Sequence, residues 1–213
     1  MNSPLLIILV ILLIYYIYKI IRNKYDKFSI ENNSSILSNI DGHQYYVHIK
    51  HEDMQSAADM FAKINQNTTM IINYIYNRNI NSYNDRKSNV AKLLMSRYNV
   101  NNLRENSPLN SDHDTSYTIN KGDVIAICIR SIKSNNQIHD YDTITFVVLH
   151  EITHLAISAY DHPDEFWEVF KFILLEAEEA KLYISPDFAN NPREYCGIKI
   201  NYNPRYDPSI NDI

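Results

Sequence analysis

One stretch constrains the fold of this 213-residue chain more than any other: Ile144, Phe146, Val147, Val148 and Leu149 lead straight into His150-Glu151-Ile152-Thr153-His154. A helix apolar around most of its circumference has to run through the middle of a domain. On a helix of 3.6 residues per turn, positions i and i+4 share a face, so His150 and His154 can hold one zinc ion between them. Glu151 is one residue along, where its carboxylate reaches a water on the metal and acts as general base. From composition, the H-E-x-x-H pattern is expected by chance about 0.014 times in such a chain.

A hydrolytic zinc site takes three protein ligands and leaves a fourth position open. His162 is the expected third ligand, because Ser158 to Asp161 can end the helix and turn the chain back. The alternative is Glu176, a carboxylate on the following helix, whereas Glu178 and Glu179 read as a solvated face. His43, His48, His51, His113 and His139 show no comparable spacing. Tyr183 and Tyr195 are candidates for oxyanion stabilisation, but in a chain with seventeen tyrosines core packing is the stronger reading.

Composition removes other classes. Three scattered glycines, Gly42, Gly122 and Gly197, exclude a Walker A loop and a G-x-G-x-x-G turn. The first residues differ in kind: Leu5 to Tyr18 is uninterruptedly apolar or aromatic, and Ile20 and Ile21 extend the run past Lys19. Such a run is expected to form a single transmembrane helix over residues 5–21, with residues 1–28 as anchor and basic flank and residues 29–41 as linker. Lys19, Arg22, Lys24 and Lys27 follow the span, which by the positive-inside rule puts the N-terminus outside and the remainder on the cytosolic or virion-interior side. Residues 1–28 carry a net +3, which leaves −8 on the rest of a chain whose formal charge is −5. An anionic domain argues against nucleic acid as a partner. In a cytosolic setting Cys128 and Cys196 are expected to be free buried thiols.

Along residues 42–213 the pattern predicts a strand at Gln44 to Lys50, helices over about 53–77 and 89–98, and a polar loop at 101–115. A hairpin follows, formed by Tyr117 to Ile119 and Val124 to Ile129 around Asn120-Lys121-Gly122. A helix capped near Asp142 and another from Asp164 to about Lys181 come next, then an irregular, proline-bearing tail. Helices at both ends of a small sheet make an α+β domain.

The motif followed by His162-Pro163-Asp164-Glu165-Phe166-Trp167 resembles the WLM metalloproteases and their SprT-like relatives. Ser116-Tyr117-Thr118-Ile119-Asn120-Lys121-Gly122, Cys128-Ile129-Arg130 and Tyr195-Cys196-Gly197 are similar to membrane-tethered members of large DNA viruses and algae. The resemblance, over about residues 53–205, implies a minimal zincin-like fold, one Zn2+ ion as cofactor and hydrolysis of a protein or peptide substrate. The strand from Val124 to Ile129 is the expected pairing edge for that substrate. Two rival readings are a non-catalytic membrane or virion structural protein that keeps the fold, marked by a fourth protein ligand, and a DNA-protein crosslink protease, marked by a basic face.

Overall fold

The computed structural model describes residues 8, 10–19, 33–106 and 115–213. Residues 8 and 10–19 are helical (α1). Then follow β1 (Asn33–Leu37), β2 (Gln44–His48), α2 (Met54–Asn79), α3 (Asp85–Arg97), β3 (Leu103–Asn106), β4 (Tyr117–Ile119) and β5 (Val124–Cys128). The chain continues through α4 (Tyr141–Ala156), α5 (Asp164–Glu179), β6 (Arg193–Tyr195) and β7 (Ile198–Ile200). The expected α+β class is what the chain adopts.

Five strands form one sheet in the order β1-β2-β3-β5-β4, and β6 and β7 form a separate hairpin. β2, β3 and β5 run parallel, while β1 and β4 are antiparallel to their neighbours. Every residue of β5 is buried, as befits a strand with a partner on each side and helices over its face. α4 packs against α3, α5, β5 and β4. Its residues Ile144, Leu149, Ile152 and Leu155 are fully buried, as the all-round apolar pattern requires. Its N-terminus is capped by Asp140, whose carboxylate accepts from the Thr143 backbone N–H at 2.9 Å; the cap lies two residues before the expected Asp142.

Several expectations are corrected. Among the described residues no helix is long and apolar enough to cross a membrane. The expected single-pass protein, with its N-terminus outside and its domain cytosolic or virion-interior, is therefore withdrawn. The basic flank from Arg22 to Lys27 lies outside the described residues, as does His113.

The expected linker over 29–41 supplies β1, whose register Asn33↔His48 to Leu37↔Gln44 makes it an edge strand, where polar residues are tolerated. The expected loop at 101–115 contains β3. Its polar sequence is buried around Arg130, which is 1% exposed. The Arg130 guanidinium donates to Glu105 Oε1 and to Asp53 Oδ1, each at 2.6 Å, and Glu105 Oε2 accepts from the His48 backbone N–H at 2.8 Å. A buried charge is tolerated when paired and hydrogen-bonded in this way.

The tail, expected to be irregular, forms the β6–β7 hairpin. Cys128 and Cys196 are joined in a disulfide across a sequence separation of 68, which corrects the expectation of free thiols. That expectation followed from the cytosolic orientation, and it falls with it. Beside the bridge, Tyr195 is 1% exposed and donates its phenol proton to the Cys128 carbonyl. Ser116 Oγ accepts from the Cys128 backbone N–H at 3.0 Å and lies 2.7 Å from the Tyr195 oxygen. With the Tyr195 proton committed to the carbonyl, the serine is the donor in that last pair. Tyr195 thus ties the hairpin to β5, and the Tyr183 hydroxyl donates to the Asp142 carbonyl at 3.2 Å.

Candidate metal centre

The second half of α4 presents His150 and His154 on one face, as the spacing requires. Arg97 from α3 fixes where that helix ends, donating from Nη1 to the carbonyls of Leu155 at 2.7 Å and Ile157 at 3.4 Å. A cation at the C-terminal carbonyls is favoured by the helix dipole. The chain then turns through Asp161, whose φ of 61° is left-handed, and Pro163 is the N-cap of α5. Lys121, from the β4–β5 turn, pins this reversal: its ammonium donates to the Ala159 carbonyl and lies 4.8 Å from the Tyr160 ring centroid. The turn can approach so closely only because residue 122 is glycine. A Cβ there, at φ +115°, would stand 2.9 Å from the Arg97 carbonyl oxygen and 3.3 Å from Leu155 Cγ.

The reversal brings His162 back onto the other two histidines. One ligating nitrogen from each of His150, His154 and His162 lies within 4.8 Å of the others, and the Nε2 atoms of His150 and His162 are 3.0 Å apart. Phe166, one turn into α5, forms a common floor, with its ring centroid 4.8, 4.6 and 4.5 Å from those of His150, His154 and His162. Burial is the main force that pushes the His150 pKa down to about 3, with His154 and His162 adding to it. His154 is lowered to about 4 for the same reason, with His162 the next contributor, and burial also lowers His162. All three imidazoles are therefore neutral at physiological pH, the form that ligates a metal.

Glu151 is 3% exposed. Its Oε2 accepts from Thr118 Oγ1 at 2.9 Å, which fixes the carboxylate from β4. Thr118 was not among the sequence-predicted residues. Its role depends on the register of β4 against β5, Thr118↔Ile125, and no local pattern advertises that. Phe166 had a weaker signal, as an aromatic residue shortly after the third histidine.

Glu176 stands apart from this cluster. It is 6% exposed, its Oε2 accepts from Asn79 Nδ2 at 3.2 Å, and its Oε1 lies 3.9 Å from Arg78 Nε. Glu178 accepts from Arg205 Nε at 2.7 Å and Glu179 pairs with Arg78, so both are bound in surface ion pairs. Among the described residues, His150, His154 and His162 form the one group of three or more metal-ligating side chains.

The histidines and Glu151 open into a cleft of about 910 Å³, whose other walls include Thr115 to Thr118, Lys121, Tyr160 and Ile198. The strand along this cleft is β4, the outermost of its sheet, which corrects the expectation that β5 would be the pairing edge. β5 has β3 on one side and β4 on the other, so its backbone groups are already used.

The WLM domain model matches residues 83–210, the span that holds every one of these groups. The chain belongs to the WLM family. At the level of that family it is a metalloprotease-like protein. It is 30% identical over 176 residues to the uncharacterized protein R325 of Acanthamoeba polyphaga mimivirus, covering 83% of this chain and 81% of that protein. It is also 38% identical over 69 residues to the uncharacterized protein 136R of Invertebrate iridescent virus 6, covering 32% of this chain and 38% of that one. Among solved structures it is similar to Wss1 from Saccharomyces cerevisiae, at 14% identity and a TM-score of 0.40, over 63% of this chain and 87% of that chain.

Proposed function

We propose that this WLM protein is a zincin-like, zinc-dependent peptidase in which His150, His154 and His162 hold one Zn2+ ion and Glu151 is the general base. The observation that carries the reading is the convergence of three neutral imidazoles beside a buried carboxylate at the wall of an open cleft. The donor set fits the ion: three nitrogen ligands from one helix and the loop that follows it, with the cleft on the remaining side. When bound, the ion supplies Lewis acidity, polarising the scissile carbonyl and lowering the pKa of a water.

The chain's own groups do the rest. Thr118 Oγ1 holds the Glu151 carboxylate by its Oε2, so that the carboxylate takes the proton of the attacking water in a fixed orientation. The same carboxyl then hands that proton to the departing amine, which restores the base and breaks the C–N bond without a second acid. The peptide lies along β4, with Phe166 keeping the imidazoles in place from below.

The test is Glu151→Gln in the full chain, with zinc content and peptide cleavage measured together. Zinc should be retained at one ion per chain while turnover falls by at least about a hundredfold. Near-normal turnover in that variant would overturn the assignment.

A further inference from the structure

The turn between β4 and β5 contains a residue that its own backbone conformation disfavours. Asn120 and Lys121 both lie in the left-handed region, at φ 46° and 61°, and Gly122 follows at φ 115°. A tight hairpin turn asks for successive positive φ values, which asparagine and glycine adopt most readily. Lysine adopts them against the crowding of its Cβ with the following carbonyl oxygen. Strain of this kind persists where contacts of the side chain hold it, and functional sites are where it collects.

The contacts of the Lys121 side chain are on the reversal that carries His162. Its ammonium donates to the Ala159 carbonyl and lies 4.8 Å from the Tyr160 ring centroid, so one side chain grips the two residues at three and two positions before the histidine. Apart from the packing of Ala159 on the core, the reversal has little hold of its own. Residues 158–161 are four consecutive bends, and Tyr160 is 74% exposed. Among the described residues, the bond from Lys121 is the only hydrogen bond that they make. An exposed segment with so few bonds opens easily, and His162, itself exposed, would follow it.

The same hairpin also serves Glu151. Thr118, three residues before Lys121, holds that carboxylate, so one short stretch of chain sets both the proposed base and the proposed third ligand. We propose that Lys121 is a positioning residue of the metal centre, whose ammonium keeps His162 within reach of an ion held by His150 and His154, and that the strained turn is retained for this purpose. The inference rests on the metal assignment above and adds to it a residue that is not itself a ligand.

Three full-length variants separate the parts. Lys121→Met keeps the apolar stem and loses the donor and the charge, Lys121→Arg keeps stem, donor and charge, and Lys121→Gly relieves the backbone while removing the side chain. Zinc affinity is read by competition with a chromophoric chelator, and urea midpoints are taken on the metal-free proteins. The Met and Gly variants should bind zinc about 10- to 100-fold more weakly, and the Arg variant should recover most of the affinity. The Gly variant should lose affinity with its midpoint unchanged or raised, because glycine is the residue such a turn prefers; a merely structural lysine would lower both together. Trp167, the single tryptophan, has its ring 5.7 Å from that of His162, so its emission in the metal-free proteins reports whether the histidine keeps its place. That emission should change in the Met and Gly variants and match the wild type in the Arg variant.

Wild-type zinc affinity or unchanged Trp167 emission in the Met variant would overturn the role of Lys121 and leave the metal centre standing. So would an Arg variant as weak as Met, or a Gly variant whose affinity and midpoint fall together. A wild-type chain that takes up no zinc, with Trp167 responding as stated, would overturn the metal assignment and leave the hold of Lys121 on His162 in place.

Discussion

Glu151 and Glu176 are both buried carboxylates on neighbouring helices, 3% and 6% exposed, yet their surroundings give them different chemistry. Glu151 accepts from the neutral hydroxyl of Thr118 and shares its helix with neutral imidazoles, and it opens on the cleft. Glu176 has the amide of Asn79 and the guanidinium of Arg78, and it faces a separate depression lined by Arg78, Lys87 and the C-terminal Asp212 and Ile213. A carboxylate that must exchange protons needs an open side toward the reacting atoms, whereas one held by an arginine and an amide is spent on packing. Burial alone does not mark a site; what the carboxylate faces does.

The comparison is tested most severely by metal affinity. His162→Ala should weaken zinc binding by about a thousandfold, because a zinc site spreads roughly 10–16 kcal/mol over a few ligands. Glu176→Ala should leave the affinity unchanged. Isothermal titration of zinc into both full-length variants decides the matter, and loss of affinity in the Glu176 variant instead would reverse the roles assigned to the two helices.

How much of this was legible beforehand follows the range of the interactions involved. His150, Glu151 and His154 could be placed from spacing because a helix fixes neighbours four residues apart, and the β4–β5 hairpin because its turn is local. β3 was not legible. Leu103-Arg104-Glu105-Asn106 reads as a polar loop until Arg130, 25 residues on, pairs with Glu105. β1 and the β6–β7 hairpin depend likewise on partners elsewhere in the chain, β2 in one case and Tyr195 with the Cys128–Cys196 bridge in the other. The free-thiol expectation failed by inheritance, since it took its redox setting from a membrane span, and among the described residues no helix is long and apolar enough to make one. Thr118 was hidden for the reason β5 was mistaken for an edge: strand order is a property of the whole sheet.

The bridge sets a second contrast, between the helical wall of the cleft, held by core packing, and the hairpin wall, held by a covalent link together with the Tyr195 and Glu194 hydrogen bonds. Cys128→Ala with Cys196→Ala should lower unfolding stability by about 2–4 kcal/mol, since the link closes a long loop in the unfolded chain. Denaturant midpoints for the oxidised wild type and the double variant measure it. The α4 metal site should keep its zinc in that variant, and its loss would mean that the hairpin positions the ligands as well.

The metal-free protein should respond to pH through the same histidines. His150, at about 3, and His154, at about 4, are depressed below the ordinary 6.5 chiefly by burial, so the unfolded chain binds protons that the folded one refuses. Stability then falls as pH drops from about 6.5 toward 4, and is unaffected by these groups above that range. His48, lowered to about 4 for the same cause, adds to the slope. Urea midpoints of metal-free protein at pH 7.5 and 5 should show the decline, and His150→Leu should make it shallower. A slope unchanged by that substitution would mean the site histidines titrate normally.

The smallest effect belongs to Glu176→Gln, and it probes the other carboxylate on its own terms. Burial raises the Glu176 pKa, with Arg78 and then Asn79 pulling it back, so the ionised form is the disfavoured one in the folded protein. The native protein is therefore penalised above the folded pKa, and relieved as the pH falls through it toward the unfolded value near 4.5. Glutamine keeps an oxygen for the Asn79 amide and removes the charge that burial penalises, but it also ends the attraction to Arg78. These terms oppose each other, so the net change at pH 7 should stay within about 1 kcal/mol. Its sign should move with pH: the variant gains on the wild type as pH rises from 4 to 7, because only the wild type must then bury a charge. Denaturant midpoints at the two pH values read this directly. A large loss at pH 7 would show that the Arg78 pair outweighs burial, and would make the far end of the α5 helix an electrostatic anchor rather than a packing contact.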